Sequence, residues 1–425
     1  MSPGSTASAP RGEDGRGSEH LRLVAGDTTA PARPRRGTRR ALLSTQQAIV
    51  ALVGTLCAVG LIMVLSASAY TSLQFYGSVW TIFERQVLWM VLGTMAFVLT
   101  ARVRYDRWRR LRIVLPLATI VLLLAVLVPG VGVVAGGSSR WIGVGLLRIQ
   151  PSELMKLALA VFAADILTRR ADRMDRPVAV VVPLLALLAV SGVLVLKQPD
   201  MGTALVLAFI TFALLYAGGV PLRPVLKALG VTAVIGLIVG LAEPYRRARL
   251  LSFLDPFAHA KGSGYQVVQS LVGLGSGHLY GLGLGGGREK WGLLPNAHTD
   301  FIFSVIGEEG GLIGTLFVLA LFAALAVYGL RAASRAPDRF GALLAVAATC
   351  WITSQAVINI GAVIGVLPVT GIPLPFISFG GSSLVITLVA AGILVNVAGH
   401  ERPALRPAAP RPVPGGDRLR PTGDA

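Results

Sequence analysis

Ten long apolar blocks dominate this chain, at 46–68, 84–102, 112–130, 152–169, 178–196, 201–218, 223–242, 301–330, 341–366 and 383–399. A helix needs about 20 such residues to cross a hydrocarbon core of about 30 Å, and backbone in lipid must satisfy its own hydrogen bonds. Only helices and closed barrels do that, and the alternating segments of a barrel are absent. The charged fraction is 14%, against about 25% in soluble domains. The predicted fold class is therefore all-α, a polytopic membrane protein of about ten transmembrane helices with a large loop between the seventh and the eighth.

The formal net charge is +18. In a soluble chain that would suggest nucleic acid, but here topology accounts for most of it. The tail 1–45, the connections 101–112, 168–177, 217–227 and 331–339, and the tail 400–425 carry 28 of the 39 Lys and Arg. All six segments fall on one side if every block is a span, so that side is predicted to be cytoplasmic. Both tails are rich in Pro, Gly and Arg and poor in large apolar residues, and read as disordered. Cys57 and Cys350 lie inside apolar blocks and read as small packing residues.

The predicted outer connections hold the chemistry. An ionisable residue at the edge of a membrane segment is costly, so it is a functional candidate by default. Asp300 stands at the start of the eighth block, after the 243–300 loop, with His298 two residues before it. Glu308 lies about 12 Å further along the helix, a depth that suits an internal ion pair for Glu308 and Glu309. The loop opens on EPYRRARLLSFLDPF, suited to the headgroup region, and continues with a helical apolar stripe at Val267, Val268, Leu271, Val272 and Leu274. The run Gly281–Gly287 follows no strand, so it is no dinucleotide fingerprint; it reads as a flexible lip or a tight turn.

The 130–151 connection contains GGSSRWIGVG, read as flexible, with Arg140-Trp141 as an interfacial anchor. Pro151 sits where a helix begins, placing Glu153 and Lys156 on one face. Two readings stay open: a structural ion pair, or a lysine on a phosphate oriented by the glutamate. Asp200 precedes an apolar run, the ordinary place of a helix cap. In 367–383, three prolines and paired glycines predict irregular backbone, tolerated at membrane depth only inside protein or beside a wet cavity. Ser378, Ser382 and Ser383 offer hydroxyls there to a polar substrate; Ser382 and Ser383 equally suit capping of the last helix.

Read in order, LIMVLSASA (61–69), SSRWI (138–142), IQPSELMK (149–156), QPDMGTAL (198–205), RLLSFLDP (249–256), GYQVVQSLVGLGSG (264–277), PNAHTDFIFSVIGEEGGLIG (295–314) and LPVTGIPLPFISFGGSSL (367–384) resemble the SEDS family of membrane glycosyltransferases. That family includes FtsW, RodA and SpoVE, and VLSASA and AHTD look closer to FtsW than to RodA. Asn296 departs from the Glu of many relatives. The resemblance covers 46–399 and leaves the tails 1–45 and 400–425 outside. It implies polymerisation of lipid II, an undecaprenyl-diphosphate-linked disaccharide pentapeptide, at the outer face of the membrane. It also implies Asp300 as the catalytic residue and Glu153 and Lys156 as a cavity ion pair; the candidate substrate-binding residues on these outer connections are Glu153, Lys156, Arg140, Arg249, Gln198, His298 and Ser378. Implied partners are a class B penicillin-binding protein (the septal transpeptidase), divisome membrane proteins and membrane lipids, with no nucleic acid. No resident cofactor is expected, although a divalent cation, Mg or Mn, is compatible with a diphosphate substrate. A lipid II flippase, a RodA-like elongation polymerase and a non-catalytic scaffold are the competing readings. No Walker loop is present to drive transport directly by ATP.

Overall fold

A computed structural model describes residues 43–135, 138–145, 147–173 and 177–401, so nearly all of both predicted tails lies outside it. Each of the ten apolar blocks is a helix: α1 (Thr45–Tyr76), α2 (Thr81–Arg102), α3 (Val114–Leu127), α4 (Pro151–Arg169), α5 (Pro177–Lys197), α6 (Met201–Ala217) and α7 (Leu222–Ala242) come before the long loop. The loop adds α8 (Pro244–Leu254) and α9 (Tyr265–Ser276), and α10 (Ile302–Ser334), α11 (Arg339–Val363) and α12 (Gly381–Gly399) complete the bundle.

Seven of these helices are long and apolar enough to cross a membrane by themselves. An eighth emerges if α3 is joined with the 3-10 turn Tyr105–Leu111, bent 58° from it. The other two, α4 and α6, fall short of that test, and α4 is largely buried inside the bundle, whereas α6 keeps Phe209 and Tyr216 on an exposed face. With 17 residues, α6 packs on α4, α5 and α11, while α4 carries Glu153, Lys156, Asp165 and Arg169 and is enclosed by α3, α5, α6, α11 and α12. Its charges survive burial because they are paired. Asp165 takes Arg109 at 2.8 Å, Arg169 at 2.9 Å and Arg112 at 3.4 Å, at the end of α4 away from Glu153.

At the centre stand α11 and α12, with 67% and 83% of their apolar windows buried inside the protein. Close approach of α2 to α12 depends on a missing side chain. A Cβ at Gly392 would sit 2.0 Å from Thr100 Oγ1 and 2.6 Å from the Phe97 carbonyl.

Two features depart from the sequence reading. The connection read as flexible forms an antiparallel three-stranded sheet, β1 (Val133–Ala135), β2 (Ser138–Val144) and β3 (Leu147–Ile149). The eighth block is also not one continuous helix. Gly311 has φ +63 and ψ −163, which breaks the ladder of α10. The glycine-rich run satisfies the freed groups: Leu282 and Gly283 N–H donate to the Glu308 and Glu309 carbonyls, and Leu312 and Ile313 N–H donate to those of His278 and Leu279. The run is therefore a turn packed on α10. Similarly, α9 is tied to its neighbours: Ser270 Oγ donates to Val363 O at 2.8 Å, while Ser304 Oγ donates to Ser270 O at 2.8 Å.

Candidate active site

The turn before α10 is shaped residue by residue. Asn296 adopts φ +60, a left-handed conformation that asparagine tolerates better than most residues. Its carbonyl then accepts from the N–H groups of Thr299 (3.1 Å) and Phe301 (3.3 Å), closing the turn. Asp300 is left half-buried in the wall of a cavity of about 790 Å³. The other walls come from the ends of α1 and α2 (Tyr76, Arg85, Trp89), the sheet (Arg140, Arg148), the starts of α4 and α6 (Glu153, Asp200), α8 (Arg249) and the loop 370–383.

Burial raises the Asp300 carboxyl to about 6. That value already includes the opposing pull of Arg249 and then Arg140 and a further push from Asp200. The carboxyl is thus ionised at neutral pH yet more basic than a free aspartate, as a general base near neutrality requires. Asp200 caps α6 by accepting from Thr203 N at 3.0 Å, and its second oxygen accepts from Thr203 Oγ1 (2.8 Å) and Gln150 Nε2 (2.9 Å). Its oxygens are therefore committed within the protein.

Of the expected site residues, Asp300, Glu153, Arg140 and Arg249 line the cavity together. Lys156, Gln198, His298 and Ser378 stand behind the wall. Lys156 is 0% exposed; its ammonium meets Glu153 Oε2 at 2.6 Å and Gln355 Oε1 at 2.8 Å, with the Trp351 ring 5.0 Å away. The ion-pair reading of this spacing describes the geometry: Glu153 faces the cavity and Lys156 anchors it from beneath. Gln198 is buried, donating to Leu123 O at 3.1 Å, and its carbonyl accepts from Arg140 Nε at 2.9 Å. Arg140 thus ties the sheet to the α5–α6 turn.

Burial lowers the His298 imidazole to about 4, so it is neutral, and its Nδ1 has no partner. Ser378 Oγ, also buried, donates to Thr299 O at 2.6 Å and accepts from Leu374 N at 2.8 Å. Neither Ser382 nor Ser383 caps α12, whose N-cap is Gly380. Instead Ser382 Oγ accepts from Gln150 N at 3.1 Å and Ser383 Oγ donates to Glu153 Oε2 at 2.9 Å, joining the α12 and α4 starts.

A model of the FtsW/RodA/SpoVE cell cycle protein family matches residues 46–403. The chain belongs to this family. It is 43% identical over 359 residues to the probable peptidoglycan glycosyltransferase FtsW of Mycobacterium tuberculosis, covering 84% of this chain and 68% of that one. Stage V sporulation protein E of Bacillus subtilis is 40% identical, with 83% and 97% covered. Among solved structures, a chain from a study of a peptidoglycan synthase complex that coordinates polymerization and crosslinking aligns with TM-score 0.68 at 30% identity, covering 83% of this chain and 96% of that one. The rod shape determining protein RodA of Thermus thermophilus aligns with TM-score 0.61 at 28% identity, with 83% and 96% covered.

Other parts of this FtsW/RodA/SpoVE chain were less visible in the sequence. Gln355 and Asn359 lie four apart on one face of α11, a polar pair in an apolar block, which is the signal that could have found them. Deeper in α10, Glu309 pairs with Lys290 at 2.6 Å and accepts from Ser66 of α1 at 2.7 Å, the internal ion pair expected for this depth. Glu308 accepts from the Arg288 N–H at 2.6 Å. Among the described residues, no three His, Cys, Asp or Glu converge to hold a metal ion.

Proposed function

We propose that this protein is a peptidoglycan glycosyltransferase that polymerises lipid II into glycan strands at the outer face of the cytoplasmic membrane for septal wall synthesis. The observation that carries the reading is a carboxylate, Asp300, set in a cavity wall under the pull of Arg249 and Arg140 and made more basic by burial. Asp300 takes the proton from the acceptor sugar's 4-hydroxyl as that oxygen attacks the donor's anomeric carbon. The bond to the lipid diphosphate breaks as the glycosidic bond forms, and attack from the opposite face inverts the α-linkage to β. Diphosphate is a good leaving group; what it needs is charge stabilisation, and Arg85, Arg140, Arg148 and Arg249 line the same cavity. Asp200 and Glu153 are committed to protein donors and offer little to a divalent ion, and no step here runs through one.

Orientation follows from the basic residues. Arg102, Arg169, Arg331 and Arg335 end their helices at the opposite pole from Asp300, so that pole and both termini are assigned to the cytoplasm. A class B penicillin-binding protein, the septal transpeptidase, is the proposed partner, with other divisome membrane proteins beside it. Reconstitution with labelled lipid II, with and without that transpeptidase, tests the reading. Glycan ladders that vanish in Asp300→Asn support it; leaflet exchange without ladders assigns a flippase, and neither activity assigns a scaffold.

A further inference from the structure

Three successive carbonyls of the turn that presents Asp300 are each gripped from outside the turn. The His298 carbonyl accepts from Phe379 N–H at 3.0 Å, and the Thr299 carbonyl accepts from Ser378 Oγ at 2.6 Å. The Asp300 carbonyl, which lies outside the ladder of α10, accepts from Asn359 Nδ2 at 2.7 Å. The same amide nitrogen donates its second hydrogen to Ile372 O at 2.7 Å. One α11 side chain therefore joins the Asp300 turn to the adjoining 370–373 strip of the cavity wall.

We propose that Asn359 and Ser378 are positioning residues that set where the Asp300 carboxylate stands, and that neither touches substrate. This rests on the reading of Asp300 as the general base. Both residues are nearly sealed, at 2% and 3% exposed, and neither lines the cavity, so hydroxyl or amide contact with a sugar is not available to them. An amide is well suited to this join, because its two N–H groups diverge from one nitrogen and reach two carbonyls at once. The arrangement also leaves Asn359 Oδ1 buried without a partner. An orphaned acceptor is a stability cost, so an asparagine here does more than fill space.

Displacement of a reacting group by about 1 Å can lower a rate about 100-fold, which sets the size of the effect. The test uses the full chain with its transpeptidase partner, purified lipid II as substrate, and the variants Asn359→Leu and Ser378→Ala. Expected are a fall in kcat of about 10- to 100-fold, a KM within about twofold of wild type, and an acid limb of the rate–pH profile displaced to lower pH as the carboxylate loses its enclosure. Unchanged kcat in both variants, or a raised KM at unchanged kcat, overturns the proposal. Asn359→Leu is close in volume but could fail to fold. In that case Ser378→Ala, which removes a single oxygen, decides alone. If Asp300→Asn keeps the wild-type rate, the general-base reading falls first. If Asp300→Asn is silent while both variants keep wild-type kcat, this inference alone falls.

Discussion

Asp300, Lys156 and Arg148 carry charges of three kinds, and each predicts a different kind of defect. A positioned base contributes about 10²–10⁴-fold, so Asp300→Asn is expected to reduce lipid II polymerisation by that factor with the protein still inserted and folded. With its carboxyl raised to about 6, the active, deprotonated form is lost as pH falls through that value. The polymerisation rate should rise tenfold per pH unit below about 6 and level off above it. Initial rates from about pH 4.5 to 8 check this; an acid limb centred near 4 would mean that burial does not tune the base. Lys156 is sealed against Glu153, and removing one partner of a buried pair costs about 3–5 kcal/mol. Lys156→Met should therefore lower the melting temperature and the yield of folded protein before any kinetic effect is read. Arg148 is exposed on the cavity rim and makes a surface contact at most. Arg148→Ala should raise KM for lipid II about fivefold, a loss of about 1 kcal/mol, with melting unchanged.

The broken helix α10 shows how an element depends on its neighbours. Its break frees carbonyls and N–H groups that the 278–283 segment satisfies, and Gly311 permits the required positive φ. A Cβ at Gly311 would meet Gly281 N at 2.4 Å and Leu279 O at 2.6 Å, and both are backbone atoms that cannot swing aside. Gly311→Ala should detach the loop from the bundle. Limited proteolysis between residues 278 and 290 in detergent should quicken at least tenfold, and an unchanged cleavage rate would show that the loop does not depend on this break. Lys290 and Glu309 clamp the same loop to α10 and α1, just upstream of the Asp300 turn.

The proposed orientation of the assembled bundle is open to direct test. In a background without Cys57 and Cys350, cysteine placed at Tyr280, 78% exposed, should react with a membrane-impermeant maleimide in spheroplasts. Cysteine at the exposed Arg110 should react only after lysis. The reverse pattern would place Asp300 inside the cell and end the proposal of outer-face chemistry.

How much was legible beforehand depends on the range of the interaction. The ten helices, the Pro151 start, the Asp200 cap and the Glu153–Lys156 pair could be read from the chain, because each rests on contacts within about one helical turn or on the bulk preference of apolar residues for lipid. The interior standing of α4 and the sheet in the 130–151 connection could not. Nor could the retreat of Ser378, His298, Gln198 and Lys156 behind the cavity wall. These were decided in three dimensions, by partners far away in the chain, such as Gln86 and Ser378, 292 residues apart. Burial and hydrogen-bond pairing are properties of an assembled neighbourhood, and one strand of sequence names the candidates without saying which face the substrate and which hold the wall.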